Sequence, residues 1–150
     1  MSWATTADAP PCAWDFSPAT AAEDGLPPEE EAACREVDLV VGGISGRTLL
    51  DLGCGRGACL RFGLDLGARV AIGVDRSDGA VASALACVRA RDGGSGALVV
   101  RADARSVPLP DGSADVVWSH GVVEHFRPAE LPAYFAEAIR LARRWVACSA

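Results

Sequence analysis

Lysine, asparagine and glutamine are absent from this chain of 150 residues. All 14 of its cations are therefore arginine, which excludes Schiff-base and pyridoxal chemistry on a lysine. It also excludes the lysine-bearing phosphate loop of nucleotide triphosphatases. With no amide side chain, neither an oxyanion hole nor adenine readout can rest on Asn or Gln. Long apolar runs are missing too. The uncharged apolar stretches, such as 116–123 with eight residues, stay far below the roughly 20 needed to span a bilayer. The opening MSWATTAD has neither a cationic start nor an apolar segment, so no secretory signal is expected. Among Cys12, Cys34, Cys54, Cys59, Cys87 and Cys148 there is no CxxC spacing, and buried free thiols in a reducing cytoplasm are the expectation.

What is present suits one globular domain: half the residues are hydrophobic and 23% are charged. The net charge of −6 is unevenly placed. Residues 1–46 hold nine acids against Arg35 alone, whereas residues 47–150 hold 13 arginines against 11 acids. No arginine cluster is interleaved with aromatics, so no nucleic-acid partner is expected. Arg140, Arg143 and Arg144 fall where a helix would end, and cations there complement its dipole.

The chain divides at about residue 26. Residues 1–26, with Pro10, Pro11, Pro18, Trp3, Trp14 and Phe16, read as an extended arm packed on another surface. Residues 27–150 read as the folded domain. PPEEEAACREVDLVVGG spells a helix, with proline and glutamates at its start, a Gly42-Gly43 stop, and Ala33, Val37, Val40 and Val41 on one face. Strands are then predicted over 48–52, 69–74, 97–100, 114–118 and 145–148, and helices over 57–66, 78–91 and 131–143. Leu60 and Leu64 mark the inner face of the first of these helices, and Val81, Leu85 and Val88 that of the second. Strand and helix alternating five times imply an α/β, Rossmann-like, doubly wound parallel sheet of about five strands. The strands are apolar without alternation, as expected for strands buried on both faces.

The segment LLDLGCGRGACL passes from strand to helix through Gly53, Gly55 and Gly57. Glycines there admit unusual backbone angles and let a ligand approach bare main chain, while the following helix offers N–H groups to an anion. Asp75 lies 20 residues beyond Gly55, at the end of the second strand, where an acid can accept both hydroxyls of a ribose. Gly53-x-Gly55-x-x-Ala58 also fits a relaxed dinucleotide pattern. Asp51 separates the two readings, because its carboxylate repels a pyrophosphate and welcomes an ammonium. S-adenosylmethionine carries such an ammonium together with a ribose, an adenine and a sulfonium.

Four segments together resemble the class I S-adenosylmethionine-dependent methyltransferases, in their small-molecule, type 11-like branch related to ubiquinone-biosynthesis methyltransferases. LLDLGCGRG resembles the family's glycine motif and VAIGVDRSDGAVASA its ribose segment. RADARSVPLPDGSADVV resembles its adenine segment, and SHGVVEHF the stretch near the methionine moiety and the methyl acceptor. The likeness covers about residues 47–148. It implies an enzyme with S-adenosyl-L-methionine as cofactor and a small-molecule acceptor; the missing secretory signal and the unpaired cysteines add the expectation that it is cytoplasmic. It places Asp51, Gly53, Cys54 and Gly55 at the methionine part, Asp75 and Arg76 at the ribose, Asp103 and Ala104 at the adenine, and Ser119 near the methionine moiety. Plainer roles stay open: Asp103 as a turn cap, Asp75 as a helix cap, and Asp111-Gly112 as a turn alone.

Methyl transfer needs an aligned nucleophile and excluded water, with a base only where the acceptor arrives protonated. His120, Glu124 and His125 are the candidates, just past the fourth strand. Under helical geometry His120 and Glu124 share a face; no third ligand joins them, so no metal is expected. The family's domain has seven strands, and this sequence ends with the fifth. That predicts an exposed edge strand through which two chains could pair. A non-catalytic binding remnant and, less favoured, an NAD-dependent oxidoreductase are the other readings.

Overall fold

The computed structural model describes residues 28–149, so the arm expected over 1–26 and Cys12 lie outside the described residues. The elements in order are α1 (Pro28–Val40), β1 (Thr48–Leu52), α2 (Ala58–Asp65), β2 (Val70–Asp75), α3 (Asp78–Asp92), β3 (Ala97–Arg101) and β4 (Ala114–His120). A turn of 3-10 helix (Val123–His125), α4 (Leu131–Leu141) and β5 (Ala142–Ser149) follow. The five strands form one parallel sheet in the order β3-β2-β1-β4-β5. The chain thus winds outward from β1 to β3, crosses back, and winds outward again through β4 and β5. The reversal puts a crevice at the carboxyl ends of β1 and β4.

Every residue of β1 is buried, as a central parallel strand requires. Alternate side chains serve opposite layers. Leu50, Leu52, Val74 and Val117 pack with Tyr134, Ala138 and Leu141 of α4 on one face. On the other, Leu49, Val116 and Trp118 meet Cys34, Val41 and Ile44, while Cys54, Leu60 and Leu64 meet Ala84 and Val88 of α3. Each large aliphatic side chain so enclosed contributes about 1.5–3 kcal/mol of transfer free energy.

The expected doubly wound α/β sheet is present, with several local corrections. Val40 is exposed, and Cys34 takes the inner place on α1 beside Ala33 and Val37. On α3 the small residues Ala80, Ser83, Ala84 and Cys87 face inward with Val88, while Val81 and Leu85 are half-buried. Small side chains let α3 lie close to the glycine loop: a Cβ on Gly57 would stand 2.7 Å from the Ala84 Cα. The edge strands β3 and β5 are partly exposed, so burial on both faces holds for the central strands only. Helix α4 stops at Leu141 and β5 begins at Ala142 without a loop, which puts Arg143 and Arg144 in the strand. Arg140 turns away from the helix end: its guanidinium donates to Glu137, Asp111 and the carbonyls of Val107 and Leu109. Asp111 is therefore more than a turn residue. Cys148 is exposed, against the expectation of burial, because β5 is an edge.

Candidate active site

Four amides of the glycine loop are satisfied within the protein. Gly53 and Cys54 both donate to the Val74 carbonyl, at 2.7 and 3.0 Å, and Gly57 donates to Cys54 O at 2.8 Å. Gly55 donates to Asp75 Oδ2 at 3.1 Å. The other oxygen of Asp75 accepts from the Ser77 amide at 2.9 Å, while Ser77 itself caps α3 by accepting from Ala80. Asp75 thus ties the end of β2 to the loop that ends β1, and each of its oxygens keeps further acceptor capacity. Gly53 sits at φ +86°, and a Cβ there would come within 2.4 Å of the Val122 side chain. Glycine keeps the space between the loop and the segment after β4 narrow.

Asp51 is buried in β1, in register with Gly73 and Trp118. Burial pushes the Cys54 thiol far up, and the Asp51 and Asp75 carboxylates push it further. The same two acids flank the loop, Asp51 on β1 and Asp75 at the end of β2. Cys54 turns its side chain into the core with Leu60 and Ala84, so only its main chain faces the crevice side of the loop. Arg76 is exposed, and its carbonyl accepts from Arg101.

Asp103 follows β3 in the next loop. Its Oδ1 accepts from the Arg105 amide and Nε, both at 2.9 Å, and its Oδ2 from Arg105 Nη2 at 2.6 Å. That guanidinium holds the carboxyl down at about 2. By lone-pair count Oδ1 is filled and Oδ2 keeps one place for an outside donor. Arg105 also bonds Glu130 and lies 5.5 Å from the centre of the Phe126 ring. The sequence reading had no role for Arg105; its position two residues after Asp103 was the available signal. Ala104, beside it, is half-buried against the α4-side core.

The structure corrects the reading of the segment after β4. His120 is the last residue of the strand rather than part of a helix, and Gly121 turns the chain at φ +65° into the 3-10 turn. His120 and Glu124 therefore do not share a helical face. His120 Nδ1 is bonded to Ser149 Oγ at 2.8 Å, and its ring stands 6.3 Å from that of Trp118. Glu124 and His125 are exposed. Ser119 is buried beside Tyr134, and its Oγ has no well-formed hydrogen bond. Burial raises the Tyr134 hydroxyl out of the range in which it would ionise. Among the described residues no group of three or more His, Cys, Asp or Glu could hold a metal ion. Among them, too, no helix is long and apolar enough to cross a membrane.

A family model described as a methyltransferase domain matches residues 50–145, which contain the loop, Asp75, Asp103 and the segment after β4. The chain belongs to this methyltransferase family. An S-adenosylmethionine-dependent methyltransferase from Mesorhizobium loti is 27% identical, with a TM-score of 0.55, over 66% of this chain and 43% of that one. A putative S-adenosylmethionine-dependent methyltransferase from Methanococcus maripaludis is 18% identical, with a TM-score of 0.74, over 94% of this chain and 68% of that one. Magnesium protoporphyrin IX methyltransferase from Synechocystis PCC 6803, solved with bound cofactor, is 20% identical, with a TM-score of 0.66, over 83% and 64%. The chain thus spans between two fifths and about two thirds of the length of these structures. No curated protein matches it.

Proposed function

We propose that this methyltransferase domain binds S-adenosyl-L-methionine and transfers its methyl group to a small-molecule acceptor in the cytoplasm. One observation carries the reading: the amides of Gly53, Cys54, Gly55 and Gly57 are spent inside the protein, that of Gly55 on Asp75, and buried Asp51 stands beside them. A pyrophosphate would meet the two carboxylates there. A ligand with an ammonium, a sulfonium and a ribose diol suits those same groups. When bound, S-adenosylmethionine supplies an electrophilic methyl carbon on its sulfonium.

The chain's own residues then divide the work. Asp51 and Asp75 provide the negative field, Gly53 and Gly55 the bare backbone, and Cys54 a main-chain surface. Asp75 accepts from the ribose hydroxyls with Arg76 nearby. Asp103 offers the open place on Oδ2 to the adenine amine, beside Ala104. Ser119, buried near the end of β4 beside Tyr134, lies toward the methionine end. His120, oriented through Ser149, is the residue placed to take a proton from the acceptor, and Glu124 and His125 bracket the acceptor's approach. The same reading pairs two chains along β5, where Trp145 and Val146 stay exposed on the sheet edge.

Calorimetric titration with S-adenosylmethionine, S-adenosylhomocysteine and NAD tests the proposal. We expect micromolar binding of the two sulfur compounds, weakened about 100-fold or more in Asp75→Ala, because hydrogen bonds to a charged group are lost. NAD should not bind. Binding of NAD instead, or indifference to Asp75→Ala, would overturn the assignment. Tight binding with no S-adenosylhomocysteine formed across a panel of small nucleophiles would favour the non-catalytic reading.

A further inference from the structure

We propose that Cys34 and Cys59 are a hydroperoxide-reactive thiol pair that closes to a disulfide, stapling α1 to the first turn of α2. The two residues belong to different helices, 25 positions apart, yet Cys34 Sγ donates to Cys59 Sγ at 3.3 Å. A disulfide bond measures about 2.0 Å, so closure needs an approach of roughly 1.3 Å. There is room for it, since a cavity of about 10 Å³ lies between the two helices and the sheet, lined by both cysteines with Ile44, Leu49, Phe62 and Trp118. Elsewhere α1 rests on α2 through a stack at the surface, with the Arg35 guanidinium 5.2 Å from the centre of the Phe62 ring.

The two sulfurs differ in environment, which divides their roles. Cys59 is partly exposed and is the second residue of α2, in the turn whose dipole favours a thiolate. Cys34 is buried with Val41 and Ile44. Cys59 sulfur attacks the hydroperoxide: an S–O bond forms, the O–O bond breaks, and an alcohol leaves with the thiol proton. Cys34 sulfur then attacks the resulting sulfenic acid. The S–S bond forms, the S–O bond breaks, and water leaves with the Cys34 proton. Two thiols are oxidised while one hydroperoxide is reduced to alcohol and water. Cys54 does not compete, since burial beside Asp51 and Asp75 keeps it a thiol.

The test treats the full chain with a small excess of tert-butyl hydroperoxide, blocks the remaining thiols and digests with trypsin and a glutamyl endopeptidase. Cuts at Arg and Glu release AACR (32–35) and GACLR (57–61), each with one cysteine and neither with Cys12. The expected product is the AACR–GACLR cross-link, about 2 Da lighter than the two reduced peptides together. The thermal midpoint should rise by about 10 °C, and dithiothreitol should reverse both effects. Cys34→Ser and Cys59→Ser should each lose the cross-link and the rise. Cys59 is partly exposed, so its variant keeps the test valid if the buried substitution unfolds the chain. A stable sulfinic acid on Cys59 with Cys34 still reduced, a main product linking either residue to Cys54 or Cys148, or an unreacted pair would overturn the proposal.

Discussion

The two rims of the crevice differ in how much is settled before any ligand arrives. On the β1–β2 rim, Asp51 and Cys54 are buried, the glycine amides are bonded internally, and Asp75 is held from both sides. On the β4 rim the chain leaves the sheet through Gly121 into a single 3-10 turn, with Glu124 and His125 exposed. One rim is fixed before any ligand arrives and, on the proposed reading, receives the constant cofactor. The other is a set of side chains on a short connection, where the proposed acceptor site could vary without disturbing the fold. Stability and function should therefore respond in opposite proportions on the two sides.

The largest expected effect is on the settled rim. Gly57→Ala places a Cβ at φ +80° and 2.7 Å from the Ala84 backbone, which cannot yield as a side-chain tip could. Left-handed strain and overpacking together should destabilise the fold by about 3 kcal/mol, read from urea denaturation. Retained stability would mean that α3 shifts, and that the loop is less settled than described.

An intermediate effect is expected at Asp103, which bridges the two rims through Arg105. Arg105→Ala should move the Asp103 titration from about 2 up toward the ordinary 3.8, as followed by carboxyl NMR. The sign follows from a depressed folded value. The stabilisation is present above the unfolded pKa, near 3.9, and disappears as the pH falls through about 2. Wild type should thus exceed the variant in stability at pH 6, with the gap closing near pH 2. A gap independent of pH would assign Arg105 to packing on Phe126 rather than to the carboxylate.

The smallest effect on stability belongs to the exposed rim. Glu124→Ala and His125→Ala should change unfolding free energy by no more than about 0.5 kcal/mol. Any loss of methyl transfer in these variants with cofactor affinity intact then reports the acceptor side alone. Loss of cofactor affinity would show that the two rims are not separable.

Much of the settled rim was legible in the sequence. Gly53, Gly55 and Gly57 mark a turn that only glycine makes easily, and Asp75 stands where a second parallel strand ends. Leu60 and Leu64 reveal the buried side of α2 by their spacing alone. The exposed rim was misread at His120, because a strand that runs two residues further looks the same in composition as the start of a helix. Register with Ser149 on β5 decided it. The end of α4 was missed for a similar reason: apolar periodicity continues past Leu141, but pairing of β5 with β4 requires extended backbone from Ala142. Arg105 was overlooked because an ion pair two residues long leaves no periodic trace.

By itself the sequence determined the order of strands and helices, the glycine turn and the acids that follow it, since these rest on local backbone preference and on periodic burial. Only the tertiary structure decided that four of the loop amides are spent, that Arg105 holds Asp103, that His120 meets Ser149, and that Cys34 touches Cys59. Each of those joins residues that chain proximity does not orient, and the packing of helices on a twisted sheet is what sets their distance.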